Sequence, residues 1–316
     1  MTNRFKPGQV WNDTDGKPIQ AHGGGILYDN GTYYWYGENK DGPTSPSNGC
    51  EFRIDVVGVS CYSSKDLYHW RHEGVVLPAE QEDQAHDLHI SKVVERPKVI
   101  YNGATGQFVM WMHIDSEDYT KAKAGVAVSH SPTGPFRYLG SVFPNGVDSR
   151  DMTLFKDDDD QAYLVHSSDW NKTLYISKLT PDYLSTAGEF VKCFIDQSRE
   201  APAVFKRNGK YYMLSSSCTG WYPNVALYAE AASIMGRWEL KDNPCEGSLA
   251  KKTFLAQSTF VLPVQGLEDA FIFMADRWNP DKLSDSRYVW LPIRFGEDGM
   301  VISWMEEWDL GYFQSK

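Results

Sequence analysis

The chain has 316 residues, 41% hydrophobic and 14% aromatic, which is enough apolar material for a large core and excludes a disordered chain. A net charge of -11 argues against nucleic acid, an anionic membrane surface or a strongly acidic substrate as a partner. No apolar run approaches the roughly 18 residues of a spanning helix, and the opening MTNRFKPGQVW lacks a hydrophobic segment of signal-peptide type. The cysteines (Cys50, Cys61, Cys193, Cys218 and Cys245) contain no CxxC pair, so neither a zinc site nor a disulfide framework is expected. This fits a cytoplasmic chain, and a secreted chain trimmed of its signal would look the same.

Along the chain one pattern recurs. A polar residue opens a short apolar strand, a turn rich in Asn, Asp and Gly follows, and an aromatic strand completes a hairpin. The first copy begins at His22 (HGGGILYDNGTYYWYGE), and a second hairpin, VGVSCYSSKDLYHWRHEG, follows it. The long interruptions Lys40–Ile54 and Pro78–Val94 suit the rim of a pocket, with a short helix expected over Asp83–His89. The second copy begins at Glu95 (ERPKVIYNGATGQFVMWMH) and is followed by AGVAVSHSPTGPFRYLG. The third begins at Arg150 (RDMTLFKDDDDQAYLVHSS), and its run Asp157 to Asp160 falls at the hairpin turn, where it reads as a solvated loop. The fourth begins at Glu200 (EAPAVFKRNGKYYMLSSS), with another short helix expected over Ala229–Met235; the fifth begins at Gln257 (QSTFVLPVQGLEDAFIFMADR). Asn30-Gly31, Asn208-Gly209 and Asp298-Gly299 suit primed hairpin turns.

A repeat of roughly 50 to 70 residues made only of hairpins predicts an all-β, five-bladed β-propeller, one copy per blade, over residues 1–316 as a single catalytic domain. The five openers, His22, Glu95, Asp151, Glu200 and Gln257, then converge on the axis. The N-terminal stretch around Val10–Trp11 is expected beside the last blade, because a propeller must hide its edge strands.

Glu95, Asp151 and Glu200 put carboxylates at equivalent places in successive blades, inside strands where a purely structural chain rarely chooses them. Hydrolysis of a glycosidic bond needs such a set: one protonated carboxyl for the leaving oxygen, and a base or nucleophile on the other face of the sugar. The acid's pKa must be raised by burial or by a neighbouring carboxylate. Trp35, Tyr36, Trp111 and Tyr212 read as blade core, whereas Trp221, Tyr222, Tyr119 and Trp278 follow strands on the opener side and suit stacking on sugars. His22 reads as a polar lining of the pocket floor, and His113 and His166 as satisfied strand-end groups.

The blade pattern resembles glycoside hydrolase family 43, an inverting family of five-bladed propellers, over nearly the whole chain. The resemblance makes Glu200 in SREAPAVF the general acid and Asp151 in SRDMTLF the residue that tunes it. The first blade departs: where the family has a general-base Asp, this chain reads Ala21-His22-Gly23-Gly24-Gly25. An exo-β-1,3-galactanase branch of the family also lacks that Asp and uses a Gln or Glu of the fifth blade; Gln257 in LAQSTFV resembles it. Glu38, Glu95, Tyr119, Asp169, Asn171 and Thr219 fall where that branch contacts the sugar, and Trp221 and His22 complete the expected lining. Gln257 would act as its imidic tautomer, or by positioning a water polarised by Glu95. The resemblance thus implies an inverting exo-β-1,3-galactanase acting on β-1,3-galactan; that chemistry requires no cofactor, no ligand spacing supports a metal, and the net charge argues against a nucleic acid or membrane partner. Within the same class stand an α-L-arabinofuranosidase or a β-galactofuranosidase; outside it, a non-catalytic sugar-binding propeller. A protein-interaction propeller of the WD type lacks its Gly-His and Trp-Asp signatures here.

Overall fold

A computed structural model describes residues 3–47, 52–297 and 299–314. Cys50 and Asp298 lie outside the described residues. The chain forms a five-bladed β-propeller. Blade one comprises His22–Asp29, Thr32–Glu38, Gly58–Ser64 and Arg71–Pro78; blade two, Val93–Asn102, Gln107–Asp115, Lys123–Ser129 and Arg137–Val142. Blade three comprises Met152–Lys156, Ala162–Ser168, Thr173–Leu179 and Thr186–Cys193; blade four, Arg199–Arg207, Lys210–Ser217, Leu227–Ala231 and Glu239–Leu240. Blade five takes Gln257–Pro263, Phe271–Arg277, Arg287–Gly296 and Gly299–Ser303. Its outer edge is covered by Cys245–Glu246, which runs parallel to Gly299–Ser303. Among the described residues no helix is long and apolar enough to cross a membrane.

The ring is closed by packing. Phe5 and Trp308 exchange both backbone hydrogen bonds, at 2.8 and 3.1 Å. Trp11 meets Trp290 of blade five edge-on at 5.0 Å, as the edge-hiding argument requires. Trp35, Trp70 and Trp290 form the middle of this seam and are almost wholly buried. Such rings each contribute several kcal/mol; cutting one to Ala costs about 3–5 kcal/mol, so this seam carries stability rather than chemistry. Trp111 and Tyr36 lie in the other seams, and with Tyr212 they are blade core as expected.

Asn30-Gly31 and Asn208-Gly209 carry positive φ at both residues, the primed-turn geometry. Asp157 anchors its hairpin turn by accepting from Lys206 Nζ at 2.6 Å and Tyr211 Oη at 2.5 Å, while Asp158 and Asp160 point to solvent. Both helix expectations fail for a physical reason. Over Asp83–His89 the side chains capture the amides a helix would use: Asp83 Oδ1 accepts from Ala85 N at 2.9 Å and His86 Nδ1 from Leu88 N at 3.1 Å, leaving a chain of turns. Ala229 and Glu230 pair with Met213 and Tyr212 on one side and with Leu240 and Glu239 on the other, so sheet pairing overrides local helix preference.

Candidate active site

Four of the five inner strands start with an irregularity. Register shifts fall between His22 and Gly25, Glu95 and Lys98, Glu200 and Ala203, and Ser258 and Phe260. In the first, second and fourth blades the residue after the opener turns left-handed: Gly23 at φ 60°, Arg96 at 55° and Ala201 at 53°. The bulge turns that residue's N–H away from the ladder, and a neighbouring carboxylate accepts it. Gly23 N donates to Asp276 Oδ2 at 2.6 Å, Arg96 N to Glu38 Oε1 at 2.9 Å, and Ala201 N to Asp151 Oδ2 at 3.0 Å. Adjacent blades are stitched together at the axis, and the same stitches fix three acidic side chains.

A pocket of about 350 Å³ opens on this face. Glu38, Glu95, Tyr119, Asp151, Asn171, Glu200, Trp221, Gln257 and Trp278 line it, all of them singled out by the sequence. Ile54 packs with Trp278, Leu283 and Trp221, so the Lys40–Ile54 interruption does contribute to the wall.

At the centre lies Arg96, which the sequence reading overlooked. Its Nε donates to Asp151 Oδ1 at 2.9 Å, its Nη1 to the Ser258 carbonyl at 3.0 Å and its Nη2 to Gln257 Oε1 at 2.6 Å. Gln257 is satisfied on both ends. Its Oε1 also accepts from Trp278 Nε1 at 2.9 Å, and its Nε2 donates to Glu200 Oε1 and to Ser216 Oγ, each at 3.0 Å. Two obligate donors on Oε1 fix which end of the amide faces the acid.

Burial, and next the charge of Asp151, push the Glu200 carboxyl up to about 8, against the opposing pull of Arg96. Glu200 is therefore largely protonated at neutral pH and can donate a proton. Glu95 behaves oppositely. Burial works against its charge, but His113 and Lys40 outweigh it, with Tyr119 Oη donating at 2.9 Å, and hold the carboxyl near 2. His113 bridges Glu95 at 3.3 Å and Asp115 at 3.0 Å; burial opposes its charge, yet those two carboxylates raise it to about 9. Burial also raises Glu38, against the opposing charge of its ion-pair partner Lys40. Lys40 lies behind the indoles of Trp221 and Trp278, at 4.9 and 5.6 Å from their ring centres. Lys98 joins the second blade to the first, its Nζ donating to Gly23 O at 2.7 Å and Arg96 O at 3.3 Å; burial and the Arg96 charge lower it to about 7.

The triple glycine of the first blade gains a reason here. A Cβ on Gly23 would stand 2.2 Å from Glu38 Oε1 and 3.4 Å from Arg96 Cδ. The space a side chain at position 23 would claim is held by the Glu38 carboxylate and the Arg96 stem.

Three expected contacts are not pocket-lining. His22 is wholly buried behind the wall, stacked on Tyr288 at 4.8 Å with Nδ1 3.2 Å from Asp276. Four openers, Glu95, Asp151, Glu200 and Gln257, therefore converge on the pocket rather than five. Asp169 accepts from Tyr175 Oη at 3.2 Å. Thr219 closes its own turn, donating to Tyr222 O at 2.6 Å and accepting from Asn224 Nδ2 at 2.6 Å. Tyr222 is likewise exposed outside the lining. His166 is buried among strands outside the pocket lining, where desolvation lowers it to about 4. Arg150, Trp170, Asp118 and Cys218 also line the pocket and were not anticipated. Burial and the nearby Glu200 push the Cys218 thiol upward, which leaves it no nucleophile. Among the described residues no group of three His, Cys, Asp or Glu is placed to hold a metal ion.

Comparison with known proteins agrees with this geometry. Among solved structures, the chain is 41% identical to a family 43 β-1,3-galactosidase solved with galactodeoxynojirimycin, with a TM-score of 0.90 over 97% of this chain and 100% of that one. It is 36% identical to an exo-β-1,3-galactanase of Phanerochaete chrysosporium solved with β-1,3-galactotriose, with a TM-score of 0.88 over 98% of this chain and 68% of that one. An exo-β-1,3-galactanase of Clostridium thermocellum is 38% identical, with a TM-score of 0.86 over 97% and 66%. A curated β-D-galactofuranosidase of Aspergillus niger is 26% identical over 208 residues, 63% of this chain and 60% of that protein. The family description "Glycosyl hydrolases family 43" matches residues 19–249. With an acid held protonated beside a charged carboxylate at the axis of five blades, and with these relatives, the chain belongs to glycosyl hydrolase family 43.

Proposed function

We propose that this propeller, residues 1–316 acting as one catalytic unit, is an inverting exo-β-1,3-galactanase that releases galactose from the non-reducing end of β-1,3-galactan, the backbone of arabinogalactan. The observation that carries the reading is Glu200, held near 8 beside Asp151 and hydrogen-bonded to a fifth-blade amide where an ordinary inverting site would hold a second carboxylate. The exo-acting relatives, matched along nearly the full chain, support galactan as substrate.

In this reading Glu200 protonates the leaving glycosidic oxygen, and Asp151, clamped by Arg96, supplies the charge that keeps the acid protonated. Gln257 positions the attacking water. Its Oε1 accepts from Arg96 and Trp278, which favours the ordinary amide over the imidic tautomer, since the latter needs a proton on that oxygen. Glu95, held near 2, is a weak proton acceptor and suits binding a sugar hydroxyl better than polarising the water. Gln257 touches the acid directly at 3.0 Å, whereas an inverting pair stands roughly 6.5–9.5 Å apart. The water-positioning role therefore requires that hydrogen bond to open when the sugar enters.

A second reading, a furanosidase, is favoured by the galactofuranosidase relative alone. Side-by-side turnover of β-1,3-galactobiose, nitrophenyl β-galactofuranoside and nitrophenyl α-L-arabinofuranoside separates the two. We expect kcat/KM on galactobiose to exceed both furanosides at least tenfold; a preference for either furanoside overturns the galactanase assignment.

A further inference from the structure

Trp170 is the one exposed aromatic among the described pocket-lining residues, at 68%. The chain goes to some length to place it. Asp169, Trp170 and Asn171 are three consecutive non-glycine residues in the left-handed region, at φ 52°, 58° and 61°. L side chains disfavour that region, so such a run persists only where its surroundings hold it. Here Asp148 holds it, accepting from Asp169 N at 2.8 Å, Trp170 N at 3.1 Å and Ser168 Oγ at 2.9 Å. Asp148 also pairs with Arg150, whose guanidinium lies 4.5 Å from the centre of the Trp170 ring. The indole is thus backed by a cation that is itself buried and fixed, and most of the ring is left open.

The acid tells which side of the bond this ring serves. Asn171, the next residue, donates from Nδ2 to Glu200 Oε2 at 3.4 Å. Glu200 gives its proton to the leaving oxygen, so the leaving sugar must sit beside Glu200. The opposite wall, with buried Glu38 and Trp278 and largely covered Glu95, suits the enclosed terminal galactose. We propose that Trp170 is the stacking platform for the sugar on the leaving-group side, and so sets the preference for a galactan chain over a small leaving group. This rests on the exo-galactanase reading. A sugar's apolar C–H face stacks on such a ring, and its clustered hydroxyls remain in water.

The test is calorimetric binding of galactose and of β-1,3-galactobiose to Glu200→Gln protein, which cannot turn the disaccharide over quickly, with and without Trp170→Ala. Trp170→Ala should weaken galactobiose roughly 3- to 10-fold and leave galactose within about twofold. Trp170→Phe should restore most of the loss. Equal weakening of both sugars, or undiminished galactobiose binding, overturns the platform. Failure of the Trp170-intact protein to bind either sugar would instead remove the galactanase reading, and this inference with it.

Discussion

Glu200→Gln should cut kcat on β-1,3-galactobiose roughly 10²- to 10⁴-fold, the span of a general acid's contribution, while leaving KM little changed. The substitution keeps the shape of the side chain and removes its transferable proton. An aryl galactoside with a good phenolate leaving group needs less protonation and should lose much less. The pH profile carries the same signature. Glu200 must be protonated to act, and its carboxyl lies near 8, so wild-type kcat/KM should hold through neutral pH and fall as pH rises through about 8. That alkaline limb should vanish for the aryl substrate in Glu200→Gln. Equal losses on both substrates, with the limb intact, would take the acid role from Glu200.

Gln257→Ala should lower kcat on galactobiose by at least 10²-fold and leave galactobiose binding largely intact, because positioning a water acts on the transition state more than on the ground state. The variant also strips an acceptor from Arg96 Nη2 and Trp278 Nε1, both buried. Arg96 Nη2 keeps Asp151 Oδ2 at 2.9 Å, but Trp278 Nε1 left without its acceptor costs about 1–3 kcal/mol, so urea unfolding should show a measurable drop. Gln257→Glu distinguishes the two effects. It keeps the acceptor for Arg96 and Trp278 but sets a second carboxyl against Glu200, which should move the alkaline limb upward. Undiminished turnover in Gln257→Ala together with loss in Glu95→Gln would transfer the water to Glu95.

The repeat made the architecture and four converging openers readable, because hairpin turns and strand alternation are local properties of the chain. The bulges were not. In three blades the bulge sets an extra residue, Gly23, Arg96 or Ala201, in the left-handed region at the axis, and nothing in HGGGI or ERPKV announces its position. His22 lies behind the wall although Glu95 and Glu200, at the same kind of bulge, line the pocket, and Arg96 was passed over although it follows a chosen opener. One signal was present: Glu95, Arg96 and Lys98 crowd three charges into a strand whose other residues are mostly apolar, and all three turn out to be buried or nearly so. Trp170 could not be placed from pattern at all, since three left-handed residues without a glycine leave no compositional mark. The failed helices over Asp83–His89 and Ala229–Met235 were lost to side-chain capture of amides in one case and sheet pairing in the other.

Proton NMR of β-1,3-galactotriose during its first turnovers tests the central claim most directly. The account predicts that α-galactose appears first and mutarotates later, with β-1,3-galactobiose as the sole co-product. First release of β-galactose would contradict inversion, and galactobiose born as its α anomer, the mark of a cut at the reducing-end bond, would contradict release from the non-reducing end.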